Sequence, residues 1–428
     1  MIPLHELGAA DAARLLARRE LSAVHLVRAC LDRIAQREPQ VRAFAHLDPD
    51  AALAQARALD AGPWRGALHG LPLGVKDLFD SAELPTTYGS VLYAGHRPAA
   101  DAAALALCRA AGAVVIGKTV STEFAYFQPG PTRNPHDPEH TPGGSSSGSA
   151  AAVGASMLPL ALGSQTAGSI IRPAAYCGVV GFKASLGRVP RAGIKTLSET
   201  LDAFGGFGRS VRDVAWLGAV LTGDDRLREG LDDDAPAPRI AIVRTPEWAQ
   251  ADTDVRSLFD GLPGALARHA ASVAEIELPP ELGDWIALQK SVMAYEMARS
   301  LAHEHVRHRD RLGARLLELL DEGMAIGGAQ HAADLARTVA ARNAIDRLFD
   351  THDVLLGPSA TGEAPHGIDA TGDPVFCRGW TLLGLPCVHL PVGRGRNGLP
   401  IGLQAIGRYA QDHRLLVAAH WIHEHLTR

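Results

Sequence analysis

Between His140 and Val153 the chain reads HTPGGSSSGSAAAV. Glycine and serine at this density belong to mobile linkers, which lose little by staying disordered. Yet the run passes without a break into GASMLPLALGSQTAGSIIRPAAYCG, which has the apolar content of a core. A linker set against a core is a contradiction, unless the small residues are there to let backbones pass close to one another. Any fold for this chain has to accommodate that packed glycine-serine segment.

The rest of the chain supplies a core for it. Of 428 residues, 46% are hydrophobic, ample for a large buried interior. Residues from about 10 to 60 read as helical, with Val24, Val27, Leu31 and Ile34 at helical spacing. GLPLGVKDLFD predicts a short buried strand and a turn, DAAALALCRAAGA a helix, and AVVIGK the strand after it. LPLALGSQ approaches a strand or buried turn, and YCGVVGFK continues the apolar pattern. A charged, proline-bearing surface loop is expected over Gly223–Arg239, followed by the strand RIAIV. Residues 282–349 read as helical. DVLLGPS, LPCVHLPV and LPIGLQAIG predict further strands, and QDHRLLVAAHWIHEHL a closing helix with Leu415, Ala419, Ile422 and Leu426 inward. This alternation predicts an α/β fold with a mixed or parallel sheet. Neither an internal repeat nor a clean interdomain linker is visible.

Several functional classes are disfavoured. The net charge is −5 and no basic run is long enough to suggest nucleic acid. The five cysteines are odd in number and scattered, without a CxxC, which argues against a disulfide framework or a Cys-rich zinc site. Cys177 is expected to be a small buried apolar residue. The amino terminus lacks the apolar segment of a secretory signal, and no apolar run reaches the ~18 residues of a membrane span. A soluble, cytoplasmic protein is the expectation. His420, His423 and His425 crowd one stretch, but without an HExxH pattern they read as a solvated helix end.

Three motifs compete for the chemistry. GAVVIGKT at Gly112–Thr119 fits the phosphate-loop pattern GxxxxGK[ST]. Its middle residues, Ala113, Val114, Val115 and Ile116, favour a strand over a loop of converging amides, so a strand with a lysine after it is expected. Gly144–Gly148 fits GxSxG, with Ser146 in the nucleophile position. The preceding TRNPHDPEHTPGG reads as a loop, whereas a nucleophile elbow needs a strand there. The third motif is a set of separated stretches: GLPLGVKD at Gly70–Asp77, GGSSSGS at Gly143–Ser149 and GSQTAGSIIRP at Gly163–Pro173.

This set resembles the amidase signature family, whose members hydrolyse amides with a Ser-Ser-Lys triad. The resemblance spans most of the chain and includes EFAYF, AAYCGVVGFK and GLPIGLQAIG. It implies a single amidase domain over 1–428, with a central mixed sheet covered by helices on both faces and an amino-terminal helical region, about 1–60, packed on it. It implies Lys76 as the base, Ser145 as a bridging serine on a cis peptide, and Ser169 as the acylated nucleophile. It further implies an oxyanion hole at Thr166, Ala167, Gly168 and Ser169. No metal or organic cofactor is implied. The sequence departs from the commonest family pattern at Gln165, where Asp is usual, at Ala167, where Gly is usual, and at Ser147.

The chemistry suits these residue types. A serine hydroxyl needs an adjacent base to attack an amide. A lysine serves only when neutral, and bringing its pKa from about 10.4 to near 7 costs roughly 4–5 kcal/mol. Burial does this when no carboxylate compensates. Leu71, Leu73 and Val75 surround Lys76 in sequence, and in an extended segment Asp77 would face the other way. On this reading Ser146, Ser147 and Ser149 are structural, and the glycine-serine run is a rigid loop beside the lysine.

SIIRPAAYC with Gln165, and GPTRNPHDPEHTPGGSSSGSAA before it, resemble the malonamidase branch of the family, where the arginine matching Arg172 binds a substrate carboxylate. A planar guanidinium suits that role. The alternative for Arg172 is an ion pair with a core carboxylate. Tyr126 and Phe127 are expected in the acyl pocket or in the core. The expected partner is a small-molecule amide such as malonamate, with neither nucleic acid nor membrane involved; a homodimer is compatible by analogy only. Two other functions stay open: a glutamine-hydrolysing amidotransferase subunit working with a partner, and a catalytically silent binding member.

Overall fold

The computed structural model describes residues 2–231 and 235–427. Residues 232–234 of the expected surface loop lie outside them. Among the described residues eleven strands form one sheet: β1 (Phe44–Leu47), β2 (Pro72–Lys76), β3 (Val114–Thr119), β4 (Leu160–Gln165), β5 (Val180–Lys183), β6 (Ala203–Gly208), β7 (Arg239–Val243), β8 (Ser272–Ile276), β9 (Val354–Pro358), β10 (Cys387–Arg394) and β11 (Pro400–Ile406). Their order is β1-β3-β2-β4-β6-β5-β10-β11-β9-β7-β8. β2 runs parallel to both β3 and β4, and β7 parallel to β8 and β9, while the pairs joining these blocks are antiparallel. The sheet is therefore mixed, as expected for the α/β class.

Side-chain alternation shows how helices cover both faces. Gly181 turns toward the helix Ile171–Cys177, where an added Cβ would lie 2.7 Å from the Ala174 methyl. Its neighbour Phe182 turns the other way, onto Gly218 of the helix Val211–Thr222. Strands covered on both faces lose the polar alternation of a half-exposed sheet. This is why β2, β3, β4 and β9 are buried along their whole length. The amino-terminal helix Ala9–Ala17 docks on the same body: the Ala10 amide donates to the buried Asp213 carboxylate at 2.9 Å. Asp213 also closes a capping box with Ser210.

Three strands escape the sequence pattern. β1 interrupts the region read as helical and pairs antiparallel with β3. β8 is a partly exposed strand beside β7. β6, AFGGFG, is rich in a residue that strands normally avoid. The reason is crowding: a Cβ on Gly205 would sit 1.9 Å from the Phe182 carbonyl oxygen, and one on Gly206 2.4 Å from that of Ala161. These glycines permit the approach of β5 and β4 to β6. In the closing helix Leu415, Ala419 and Ile422 are buried, whereas Leu426 is only half-buried. Two adjacent details differ from expectation. His420 is buried rather than solvated; His423 and His425 are half-buried, with His423 facing the Pro391 carbonyl and His425 stacked on Trp421. All five cysteines are free and buried.

Gly205→Ala tests the crowding at β6. The alanine methyl has to displace backbone, so a loss of at least about 3 kcal/mol is expected. The measurement is the thermal midpoint against wild type; an unchanged midpoint would show that β5 and β6 have room to spare.

Candidate active site

Parallel pairing of β2 with β4 brings their carboxyl ends to one edge, the edge at which open α/β sheets hold their ligands. Lys76 is the last residue of β2 and is fully buried. Its Nζ lies 2.7 Å from Ser145 Oγ and 2.7 Å from Ser164 Oγ. Desolvation holds its pKa well below the usual lysine value, opposed by the charge of Asp202. Among the described residues no carboxylate lies within ion-pair distance of it.

Asp77 does turn to the other side. Its carboxylate accepts from the Thr87 amide and hydroxyl and pairs with Lys118 at 3.3 Å. Lys118 is the lysine of GAVVIGKT. That motif forms β3 with a buried lysine, and the Lys118 ammonium donates to the Phe79 carbonyl and to Thr86 Oγ1. A phosphate loop is therefore ruled out there. Burial lowers the Lys118 pKa to about 8, against the pull of Asp77.

The glycine-serine run is buried from Thr141 through Ala150 and enters the helix Ser147–Gly154. The Gly144–Ser145 peptide is cis. Glycine is required at 148, where a Cβ would lie 2.1 Å from the Ala43 carbonyl oxygen and 2.4 Å from the Val120 nitrogen. The other serines of the run bind neighbouring backbone. Ser149 Oγ donates to the Leu162 carbonyl at 2.8 Å, Ser147 Oγ to that of Ser145, and Ser146 Oγ to that of Ser164. Ser146 is fully buried and is preceded by coil, so the elbow geometry is absent.

Ser145, Thr166, Ala167, Ser169, Arg172, Tyr126 and Phe127 line one small cavity. Gly168 lies in the turn between Ala167 and Ser169. Ala125, Leu197, Met293, Met297 and Thr371 complete the walls. Tyr126 and Phe127 follow two residues in the left-handed region, Phe124 (φ 43°) and Ala125 (φ 51°), a backbone seldom held without surrounding support. Burial raises the Tyr126 pKa.

Among the described residues Arg172 makes no ion pair with a core carboxylate. Its Nη2 donates to the Gly144 carbonyl at 2.6 Å and to Thr371 Oγ1 at 3.2 Å, and its Nη1 to the Gly372 carbonyl at 2.8 Å. It thus grips the peptide that precedes Ser145. Its pKa falls to about 10 through burial. Gln165 keeps the acceptor that an aspartate would supply: Oε1 accepts from the amides of Ile170 (2.8 Å) and Ile171 (3.0 Å), and its Nε2 donates to Thr381 Oγ1 at 2.9 Å.

Two site residues were missed from sequence. Ser164 sits inside a quoted motif, but only the strand pairing shows it reaching Lys76. Asp202 precedes the unrecognised β6; it is buried and accepts from Thr166 Oγ1 at 2.6 Å and from the amides of Leu197 and Ser198. Among the described residues no three His, Cys, Asp or Glu side chains converge as metal ligands, and no helix is long and apolar enough to cross a membrane.

Comparison with known proteins bears on the family and the fold. The sequence profile of the Amidase family matches residues 25–416. A glutamyl-tRNA(Gln) amidotransferase subunit from Acidothermus cellulolyticus is 35% identical, over 95% of this chain and 92% of that protein. The peptide amidase of Stenotrophomonas maltophilia superposes with a TM-score of 0.84 at 30% identity, over 99% and 98% of the two chains. A further amidase crystal structure superposes with a TM-score of 0.89 at 31% identity, over 98% and 100%. With its profile match, its relatives and its mixed sheet flanked by helices, this chain belongs to the amidase signature family.

Proposed function

We propose that the protein is a stand-alone amide hydrolase that cleaves a small carboxamide through an acyl-enzyme on Ser169. The observation that carries this reading is the 2.7 Å contact between the desolvated Lys76 amine and Ser145, on a cavity shared with Ser169. In the proposed cycle neutral Lys76 accepts the Ser145 hydroxyl proton while Ser145 accepts that of Ser169. The Ser169 Oγ–carbon bond forms and the carbonyl oxygen takes up charge. The amides of the Thr166–Ser169 turn stabilise that charge. The protons then return through Ser145 to the leaving nitrogen as the carbon–nitrogen bond breaks. Water, activated by the same relay, hydrolyses the ester.

For the acyl group, the reading is a short chain bearing a carboxylate, such as malonamate. It is supported by a buried guanidinium on the cavity wall whose charge no protein carboxylate pairs within ion-pair distance among the described residues. The second reading, a glutamine-hydrolysing subunit that works with a partner, is favoured by the likeness to the amidotransferase subunits.

Three outcomes are expected. A fluorophosphonate should add one label, mapped to Ser169 by peptide mass and absent in Ser169→Ala; a label on Ser146 would sink the triad assignment. Wild-type enzyme should turn over malonamate about 10²-fold better in kcat/KM than propionamide, and Arg172→Met should erase the difference. Equal rates would remove the carboxylate preference, and turnover of glutamine alone would favour the amidotransferase reading.

The third concerns pH. Lys76 works only as the free amine, so the labelling rate of Ser169 should rise with pH along a limb that belongs to this lysine. Lys76→Met should lower the rate about 10³-fold or more and abolish the limb. The sign for stability follows from the same shift. The folded pKa lies below the unfolded one, so the unfolded chain binds the proton more readily. Burying Lys76 therefore costs stability as pH falls from the unfolded pKa to the folded one. A limb that survives in Lys76→Met would assign the base elsewhere.

A further inference from the structure

Between the end of β4 and Ser169 the chain makes one turn, Thr166-Ala167-Gly168. Each of its three carbonyls is held by the protein. Thr166 O accepts from Gln289 Nε2 at 3.0 Å, Ala167 O from Thr381 Oγ1 at 2.8 Å, and Gly168 O from the Arg172 amide at 2.9 Å. In a trans peptide the N–H points opposite to the C=O. Holding three successive carbonyls therefore sets the direction of the next three amides, those of Ala167, Gly168 and Ser169. Among the described residues none of these amides donates to a protein acceptor, whereas the following two, of Ile170 and Ile171, are both taken by Gln165. Ala167 and Ser169 face the cavity.

The two side-chain braces come from outside the motif segments. Gln289 is fully buried on the helix Trp285–Ser300. Its Oε1 accepts from Nη1 of Arg378, which is 5% exposed and lies on the helix Val375–Leu382. Thr381 stands on that same helix and accepts from Gln165 Nε2. Its hydroxyl proton is shared between Ala167 O and the Cys377 carbonyl at 2.9 Å. An amide side chain has two ends, and Gln289 uses one to be oriented and the other to orient.

We infer that Gln289 and Thr381 are positioning residues for the oxyanion hole: they aim the Ala167 and Gly168 amides at the charge that develops on the substrate carbonyl. Arg378 and Gln165 keep them in register. This rests on the proposed role of Ser169 and extends it to two helices that lie outside the motif segments. Such pre-aimed donors need no reorganisation as charge appears, which is the source of their effect on rate.

The experiment measures the rate of fluorophosphonate modification of Ser169 by intact mass. It compares wild type with Gln289→Met, Thr381→Val and Thr381→Ser, with thermal midpoints recorded alongside. The phosphonyl oxygen occupies the same hole as a tetrahedral intermediate. Gln289→Met and Thr381→Val are expected to slow labelling about 10–100-fold, as loss of a supporting contact does elsewhere. Thr381→Ser, which restores the hydroxyl, should come within about threefold of wild type. Where an amide substrate is turned over, kcat should fall and KM stay nearly constant, because the contacts form only with the charged oxygen. Folded variants that label at the wild-type rate would overturn the inference, as would a Thr381→Ser as slow as Thr381→Val. Wild-type enzyme that takes no label on Ser169 would instead overturn the reading on which it rests.

Discussion

A buried ammonium group stays charged at little cost only beside a carboxylate, and Lys76, fully buried, has none within ion-pair distance among the described residues. It ends a strand buried on both faces, and its nearest polar neighbours are two serine hydroxyls. Much of the surrounding structure is arranged to keep this so. Asp77, one residue on, would raise the lysine pKa if it turned inward; it is drawn to the opposite side by Lys118 and Thr87. Two buried lysines thus stand on adjacent parallel strands in different electrostatic surroundings. Lys118 has a carboxylate in contact and Lys76 does not, which separates a structural cation from a candidate base.

The glycine-serine run follows from the same constraint. A hydroxyl has to reach Lys76 through a space that β3, β4 and the Ala43 segment already crowd. Only residues with little or no side chain pass there, and Gly148 has no room for a methyl. Arg172 then grips the carbonyl just before Ser145. In this way a stretch with the composition of a linker becomes one of the most enclosed parts of the molecule. Composition misleads because flexibility is a property of free glycine and serine, and close packing removes it.

The proposed oxyanion turn shows a second principle. Its donors are backbone groups, which no side-chain change can delete, so their aim is governed by whatever holds the carbonyls behind them. That duty falls on Gln289 and Thr381, more than a hundred residues further along the chain. Gln165 illustrates how a family position tolerates change. The neutral amide retains an acceptor for two amides and gains a donor toward Thr381. The hydrogen-bond pattern, rather than the charge, is what the position keeps.

The sequence by itself determined the class of fold, six of the strands outright, and the short stretches that carry Lys76, Ser145, Ser169 and Arg172. These were legible because continuous apolar runs and small-residue motifs are local signals. Tertiary structure alone decided the rest. β6 was illegible because its glycines answer to the carbonyls of neighbouring strands, not to any strand propensity of their own. The approach of Ser164 and Asp202 to the site, and of Gln289 and Thr381 to the turn, depends on which segments the sheet order and helix packing bring together. The partners of Arg172 were open between a substrate and an ion pair; the fold supplied a third set, three acceptors on two distant loops. A guanidinium in sequence carries its charge and its donors, but only packing determines which acceptors come within reach.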